Sequence, residues 1–226
     1  MGGQEKPEAK KNLKQQAYEV IKSKILDCEY APNQLLNEQI LCDELGSVSR
    51  TPVRDAVGRL EQEGLVSILP KKGILVAPLN VGEIGLLYEA RLLLEPYALL
   101  NYGKKIPAEE WAELQSTLNE LLAQTPQNQH YSYDLDNRFH QRIIDATENH
   151  YIIDAFENTK NANHRVRILS GNVNVSRKGD TLQEHLLIIA ACLEENWEAA
   201  AQAMTTHLEH SRSAAFKLLI SSRANI

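Results

Sequence analysis

Ser49-Arg50-Thr51-Pro52-Val53-Arg54-Asp55-Ala56-Val57-Gly58-Arg59 is the stretch that decides the fold of this chain. On a 3.6-residue wheel Val53, Ala56, Val57 and Leu60 share one side, while Arg50, Thr51, Arg54, Asp55 and Gly58 share the other. Ser49 stands where a side-chain oxygen caps free amides, and Pro52 falls in the first turn, where a missing N–H costs nothing. A helix therefore starts here. Arg50 and Arg54 are four apart, so their guanidinium forks point the same way, suited to guanine O6/N7 or to phosphate oxygens. Gly58 costs about 1 kcal/mol against Ala in a helix interior, and in the middle of the polar face it leaves room for a large partner. One face packs and the other touches something.

Outward from this stretch the pattern stays regular. Leu13, Ala17, Tyr18, Ile21, Ile25 and Leu26 recur at helical spacing, and the turn Tyr30-Ala31-Pro32-Asn33 closes that helix. A short helix from about Glu38 to Leu45 ends at Gly46, and Ser47-Val48 leads into the arginine helix. Helix, tight turn, helix is the order of a helix-turn-helix, whose second helix lies in the major groove. After Glu63-Gly64, the runs 65–69 and 74–77 flank Pro70-Lys71-Lys72-Gly73 as a two-stranded hairpin, and Lys71 and Lys72 at its tip would reach the DNA backbone. The expectation is a disordered tail over 1–12 and a winged helix-turn-helix over 13–78.

The 226 residues give room for two small cores, and a hydrophobic fraction of 43% is that of a globular protein. No apolar run approaches the ~20 residues that span a bilayer, and no signal-peptide core is seen. Cys28, Cys42 and Cys192 are odd in number and set among apolar neighbours, which suits a reducing cytoplasm. The net charge of −6 divides unevenly: residues 1–79 carry 11 Lys+Arg against 11 Asp+Glu, and residues 80–226 carry 13 against 19. The excess acid lies wholly in the second half, so the first half can bind DNA if its basic groups face one way.

A linker over 79–82 precedes a second domain over 83–222, in which six helical segments form an all-α bundle. Thr181-Leu182-Gln183-Glu184 has the form of a capping box and is expected to start one of these helices. Three helices aim titratable groups at the core: Asp136 and His140 four apart beside Phe139 and Ile143, His185 amid Leu182, Ile188 and Ile189, and His207 amid Ala203 and Met204. A carboxylate buried unpaired costs several kcal/mol, and each imidazole needs partners for two nitrogens. Spacing leaves two answers open, hydrogen-bonded core histidines or a divalent metal. Arg91 also faces inward, where it either pairs with Glu95 or grips an anionic ligand.

The whole is mainly α, an N-terminal winged helix-turn-helix with a small hairpin followed by a bundle of about six helices. Ser49-Arg50-Thr51-Pro52-Val53-Arg54-Asp55-Ala56, Arg59-Leu60-Glu61-Gln62-Glu63-Gly64-Leu65-Val66 and Lys72-Gly73 resemble the DNA-binding domain of the GntR family of bacterial transcription regulators. Arg91-Leu92-Leu93-Leu94-Glu95, Asp136-Asn137-Arg138-Phe139-His140, Glu184-His185-Leu186 and Met204-Thr205-Thr206-His207-Leu208 resemble the helical ligand-binding domain of its FadR/VanR-type members. The resemblance implies that Arg50 and Arg54 meet bases or phosphates, with Ser49 and Thr51 on phosphates and Lys72 and Gly73 in the wing. It implies further that Asp136, His140, His185 and His207 hold a divalent ion, zinc first with nickel, manganese or iron as alternatives, and that open positions on it take a carboxylate effector with Arg91 as second anchor. Two departures stand out: the turn is one residue longer than the usual Gly-Val-Ser, and Leu35 and Gln39 stand where relatives often carry an arginine.

The expected protein is a cytoplasmic homodimeric repressor or activator on a palindromic operator, not an enzyme and not a membrane protein. The competing reading is a metal-dependent hydrolase with an appended nucleic-acid-binding module, which would need a general base that no residue supplies.

Overall fold

A computed structural model describes residues 7–46, 48–123, 129–171 and 175–223, which form two compact units meeting at Leu79/Asn80. In the first unit, α1 (Pro7–Leu26) precedes β1 (Leu35–Leu36), α2 (Glu38–Glu44), α3 (Arg50–Gln62), β2 (Val66–Leu69) and β3 (Gly73–Val76). The apolar side of α3 is buried as the wheel requires, with Val53, Ala56, Val57 and Leu60 packed on Ala17, Ile21 and Ile25 of α1. Across the edge of this packing, Tyr18 of α1 donates to Glu63 at 2.6 Å and Arg59 of α3 lies 3.7 Å over the Tyr18 ring.

Three expectations for this unit change. Helix α1 reaches back to Pro7, so only residues 1–6 of the expected tail lie outside the described residues; proline in the first turn forfeits no hydrogen bond. The sheet has three strands in the order β1-β3-β2, because Leu35 and Leu36 pair antiparallel with Leu75 and Ile74. Two residues carry no readable period, so only the hairpin was visible. Ser49 is the N-cap of α3 by backbone conformation but its side chain makes no capping hydrogen bond. Ser47 of the lengthened turn lies outside the described residues, and Gly46 beside it takes φ +79, as a residue closing α2 does.

The second unit is helical in the described residues: α4 (Val81–Tyr102), a 3-10 turn (Gly103–Lys105), α5 (Ala108–Ala123), α6 (Gln129–Asp145), α7 (His150–Gly171), α8 (Val175–Leu193) and α9 (Trp197–Arg223). Six helices were expected and six are found, around a core that includes Leu99, Trp111, Phe139, Ile143, Ile188, Met204 and Leu208. Helix α4 starts inside the expected linker, since Asn80 caps it by accepting from the Glu83 N–H at 3.0 Å. Helix α8 begins six residues before Thr181, so the Thr181 to Glu184 stretch lies within a helix and does not start it. Burial of that helix's Ile188 and Ile189 extends the order past a local start signal.

Gly73, expected at the DNA, has a structural duty as well. Its φ is +129, and an added Cβ would lie 2.4 Å from the Leu36 carbonyl oxygen, so β1 closes on β3 only across a glycine. Gly73→Ala should therefore lower the unfolding free energy of the DNA-free protein by about 1–3 kcal/mol. Urea unfolding followed by circular dichroism reads this, and an unshifted midpoint would show that β1 tolerates the extra atom.

Candidate functional site

The DNA-facing candidates sit together on the first unit. Ser49, Arg50, Thr51 and Arg54 are exposed on the polar side of α3, and Lys71 and Lys72 are exposed at the tip of the wing. Helix α2 lies against α3 here, and its first turn is fixed by Asn37, whose Oδ1 accepts from the Ile40 N–H at 2.8 Å. Arg54 Nε donates to Glu38 Oε1 at 2.7 Å, and Arg50 donates to Gln39 Oε1 at 3.3 Å. The side chain of Arg54 stays 64% exposed in this contact, so it remains within reach of a partner.

Inside the second unit, α6, α8 and α9 bring Asp136, His140, His185 and His207 into one buried cluster. His185 Nε2 is 3.3 Å from His207 Nε2 and 3.6 Å from Asp136 Oδ1, and His140 Nε2 is 3.7 Å from Asp136 Oδ2. Bonds of 2.0–2.1 Å to a tetrahedral ion put its ligand atoms roughly 3.3 Å apart. His185 stands near that spacing from His207 and Asp136, as His140 does from Asp136, and one ring nitrogen of each histidine lies within 4.8 Å of the others.

Carboxylates outside this cluster orient it. His140 Nδ1 meets Glu95 Oε2, and Glu95 Oε1 accepts from Arg91 Nε at 2.5 Å. His207 Nδ1 faces Glu184 Oε2 at 2.8 Å, and Glu184 Oε1 also faces His210 at 2.8 Å. Each carboxylate accepts a hydrogen bond from Nδ1–H, so the Nε2 lone pairs of His140 and His207 point inward, toward a carboxylate that is itself acceptor-only. His140 Nε2 has no hydrogen-bond partner although it is buried. A cluster of lone pairs with no donor for one of them is what a cation satisfies.

Charge on these groups follows their surroundings. Burial would raise the carboxyl of Glu95, but Arg91 and then His140 outweigh it and hold it at about 2. Burial also works against ionised Asp136, and Arg167 with the three histidines overrides it, keeping the group well below the usual carboxylate range. Burial pushes His207 down to about 4 against the pull of Glu184, and burial together with His207 depresses His185.

Arg91 is buried between Glu95 and Asn163, whose Oδ1 accepts from it at 3.0 Å, so the ion pair that the sequence left open is formed. The cation in contact with Asp136 is Arg167 of α7. Sequence reading did not single out Arg167 or Asn163, although they stand four apart on one helix face, and it took Glu184 for a cap. Glu95 was seen only as a partner of Arg91.

The sequence pattern of the FCD domain family matches residues 86–210, and that of the bacterial regulatory proteins of the gntR family matches residues 13–76. The HTH-type transcriptional repressor RspR of Escherichia coli (strain K12) is 28% identical over 198 residues, 87% of this chain and 86% of its own. A GntR transcriptional regulator from Rhodococcus sp. RHA1 superposes with a TM-score of 0.72 at 22% identity, covering 90% of this chain and 97% of that one. The Zn2+-bound FCD domain of TM0439 gives a TM-score of 0.55 at 25% identity, covering 64% of this chain and 99% of that one. These relatives are regulators, which sets aside the hydrolase reading.

Histidines with lowered pKa take up protons more readily when unfolded, from the ordinary 6.5 down to about 4 for His207. In that window the unfolded state binds more protons, so stability falls as pH falls. Depressed Asp136 and Glu95 add loss in the same direction below their ordinary range. Thermal melts between pH 7 and pH 4 should show the second unit weakening with acid, and a flat profile would contradict the buried neutral histidines.

Proposed function

The chain belongs to the gntR family of bacterial regulatory proteins, in the FadR/VanR-type group that carries an FCD domain, and on that premise we propose that a divalent ion and a small carboxylate in its second unit set the strength with which its first unit holds DNA. It is a DNA-binding transcriptional regulator. In this reading Arg50 and Arg54 address base edges, Ser49 and Thr51 address phosphates, and Lys72 with Gly73 brings the wing to the backbone. The regulator works in the cytoplasm, where the chromosome is; no helix among the described residues is long and apolar enough to cross a membrane.

The single observation behind the ion is the buried His140 Nε2, without a hydrogen-bond partner among the described residues, in a cluster where one ring nitrogen from each of His140, His185 and His207 lies within 4.8 Å of the others. Asp136, His140, His185 and His207 would hold the ion, with zinc favoured by the three imidazoles and nickel, manganese or iron also compatible with them. When bound, it supplies open coordination positions for a carboxylate oxygen. Glu95 and Glu184 keep the His140 and His207 rings aimed inward, and the positive charge that an anionic metabolite matches would come from the ion itself, since Arg91 is paired with Glu95 and Arg167 with Asp136. Regulation then follows from differential affinity: an effector that binds one conformation of the regulator better shifts the population toward it.

Two copies are needed to read a palindrome. Helix α4 offers the surface for them, because Leu86, Ala90, Leu93, Tyr97 and Leu100 alternate by four and three along its outer side. Leu86 is 62% and Leu93 69% exposed within one chain, which fits a helix-to-helix seam completed by a second copy.

Protein purified without chelator should carry close to one divalent ion per chain by elemental analysis, and His185→Ala should lose it. With the ion in place, a screen of sugar acids, keto acids and dicarboxylates by thermal shift should find a ligand that stabilises the protein by about 2.7 kcal/mol at 100 times its dissociation constant. Persistent absence of bound metal would defeat this part of the reading. Sedimentation should give twice the 25.4 kDa chain mass, and Leu93→Glu should reduce it to one; a monomer in the unsubstituted protein would remove the seam.

A further inference from the structure

The two arginines assigned to DNA do not stand alone. Consecutive residues of α2 hold them, Glu38 taking Arg54 and Gln39 taking Arg50. We propose that Glu38 is a specificity-determining residue, a positioning carboxylate that fixes the Arg54 guanidinium so that it discriminates between base pairs rather than between duplex and no duplex. This rests on the reading of Arg54 as a base contact.

A carboxylate on a surface that meets phosphates repels the ligand, so its presence beside the recognition arginine calls for a compensating gain. Three observations supply it. The contact uses Arg54 Nε, at 2.7 Å, and leaves the terminal NH1/NH2 edge as the one that would address guanine O6 and N7. The partner is held, because Glu38 opens α2 directly after the Asn37 cap, which fixes the first turn, and α2 is anchored in the core that α3 shares by buried Leu41 and Cys42. The same device is repeated next door: Gln39 donates from Nε2 to Asp43 at 2.9 Å, which fixes its amide so that Oε1 is the atom offered to Arg50.

The gain is one of preorganisation. A free arginine carries about 2 kcal/mol of rotamer entropy, which it loses on docking to a base. Arg54, held at its Nε, gives up less, and it is held in one direction. A guanidinium that swings freely finds a phosphate wherever it lands; one tied at Nε has one place to reach. Glu38 is moreover an acceptor of the kind that takes the cytosine N4 amine, so a G·C pair satisfies both members of the Arg54–Glu38 unit. As an exposed ion pair it adds little to folding. Its carboxyl is held below the ordinary range by the hydrogen bond from Arg54, so Glu38 keeps its charge at neutral pH.

The test uses the full chain. A duplex is selected from a random library with the unsubstituted protein, and anisotropy then measures binding of that duplex and of a scrambled one by the unsubstituted, Glu38→Ala, Glu38→Gln and Arg54→Ala proteins. Glu38→Ala should bind the scrambled duplex more tightly, having lost a repelling charge, while its preference for the selected duplex over the scrambled one falls by about tenfold, the low end of what a bidentate base contact is worth. Glu38→Gln, which keeps an acceptor oxygen for Arg54 Nε, should recover part of that preference. A second selection with Glu38→Ala should relax the sequence at one base pair per half-site. If both Glu38 variants tighten the two duplexes equally and the preference is unchanged, Glu38 acts by charge alone and the proposal is overturned. Arg54→Ala separates the layers: it should abolish the preference by itself, and if it does not, the reading of Arg54 as a base contact fails and takes the proposal with it.

Discussion

Burying charge is the constraint on which the second unit depends. Asp136, Glu95 and Arg91 all lie in its interior, and each ionised group taken out of water costs several kcal/mol unless a partner repays it. The bundle meets that demand with a connected chain: Asn163 holds Arg91, Arg91 holds Glu95, Glu95 holds His140, and Arg167 holds Asp136. What the chain leaves over is a set of inward nitrogen lone pairs. The helices contributing to this network, α4, α6, α7, α8 and α9, are thereby tied to a single point, and the apolar core around Phe139, Ile188 and Met204 packs about it.

The first unit faces the opposite problem. Its functional groups must stay in water until DNA arrives, so they are placed on the rim of a small core and kept from wandering by short contacts between neighbouring helices. The apolar stripe of α3 supplies the anchorage, and α2 supplies the acceptors. The exposed rim retains its charge balance, which is why a domain with equal numbers of acids and bases can still present arginines and lysines on one surface.

Regular elements with a clear period were legible in the sequence. The stripe of Val53, Ala56, Val57 and Leu60 marks α3 and its start after Ser49, and the inward stripes around His140, His185 and His207 point three imidazoles at one core. Features that depend on contacts between distant segments were not legible. Strand β1 is two residues long and exists because β3 is beside it. Glu184 sat in a local cap signature, and only the approach of α9, 23 residues later, turns its carboxylate to His207. Arg167 and Asn163 stand at the same four-residue spacing as Asp136 and His140, but only the fold shows that their face of α7 turns to Asp136 and Arg91. The Arg54–Glu38 contact spans 16 residues and a turn, beyond the reach of any periodicity.

Helix α4 shows how the two demands meet in one element. Its inner side carries Arg91 and Glu95 into the polar network, and its outer side carries Leu86, Leu93, Tyr97 and Leu100 in the open. At 1.5 Å per residue its 22 residues run about 33 Å, with Pro96 inside the helix just after Glu95. Glu95 is bonded at one oxygen to Arg91 of the same helix and at the other to a proposed metal ligand, so a shift of the His140 ring when an ion is gripped is felt first by α4. Arg91 on the inner side and Leu93 on the outer side share one helical turn, so neither side moves without the other. On the proposed dimer, a small displacement at the proposed site would therefore reach the seam between the two copies. That coupling would need no path through the rest of the bundle, only the backbone shared by a charge on one side of the helix and leucines on the other.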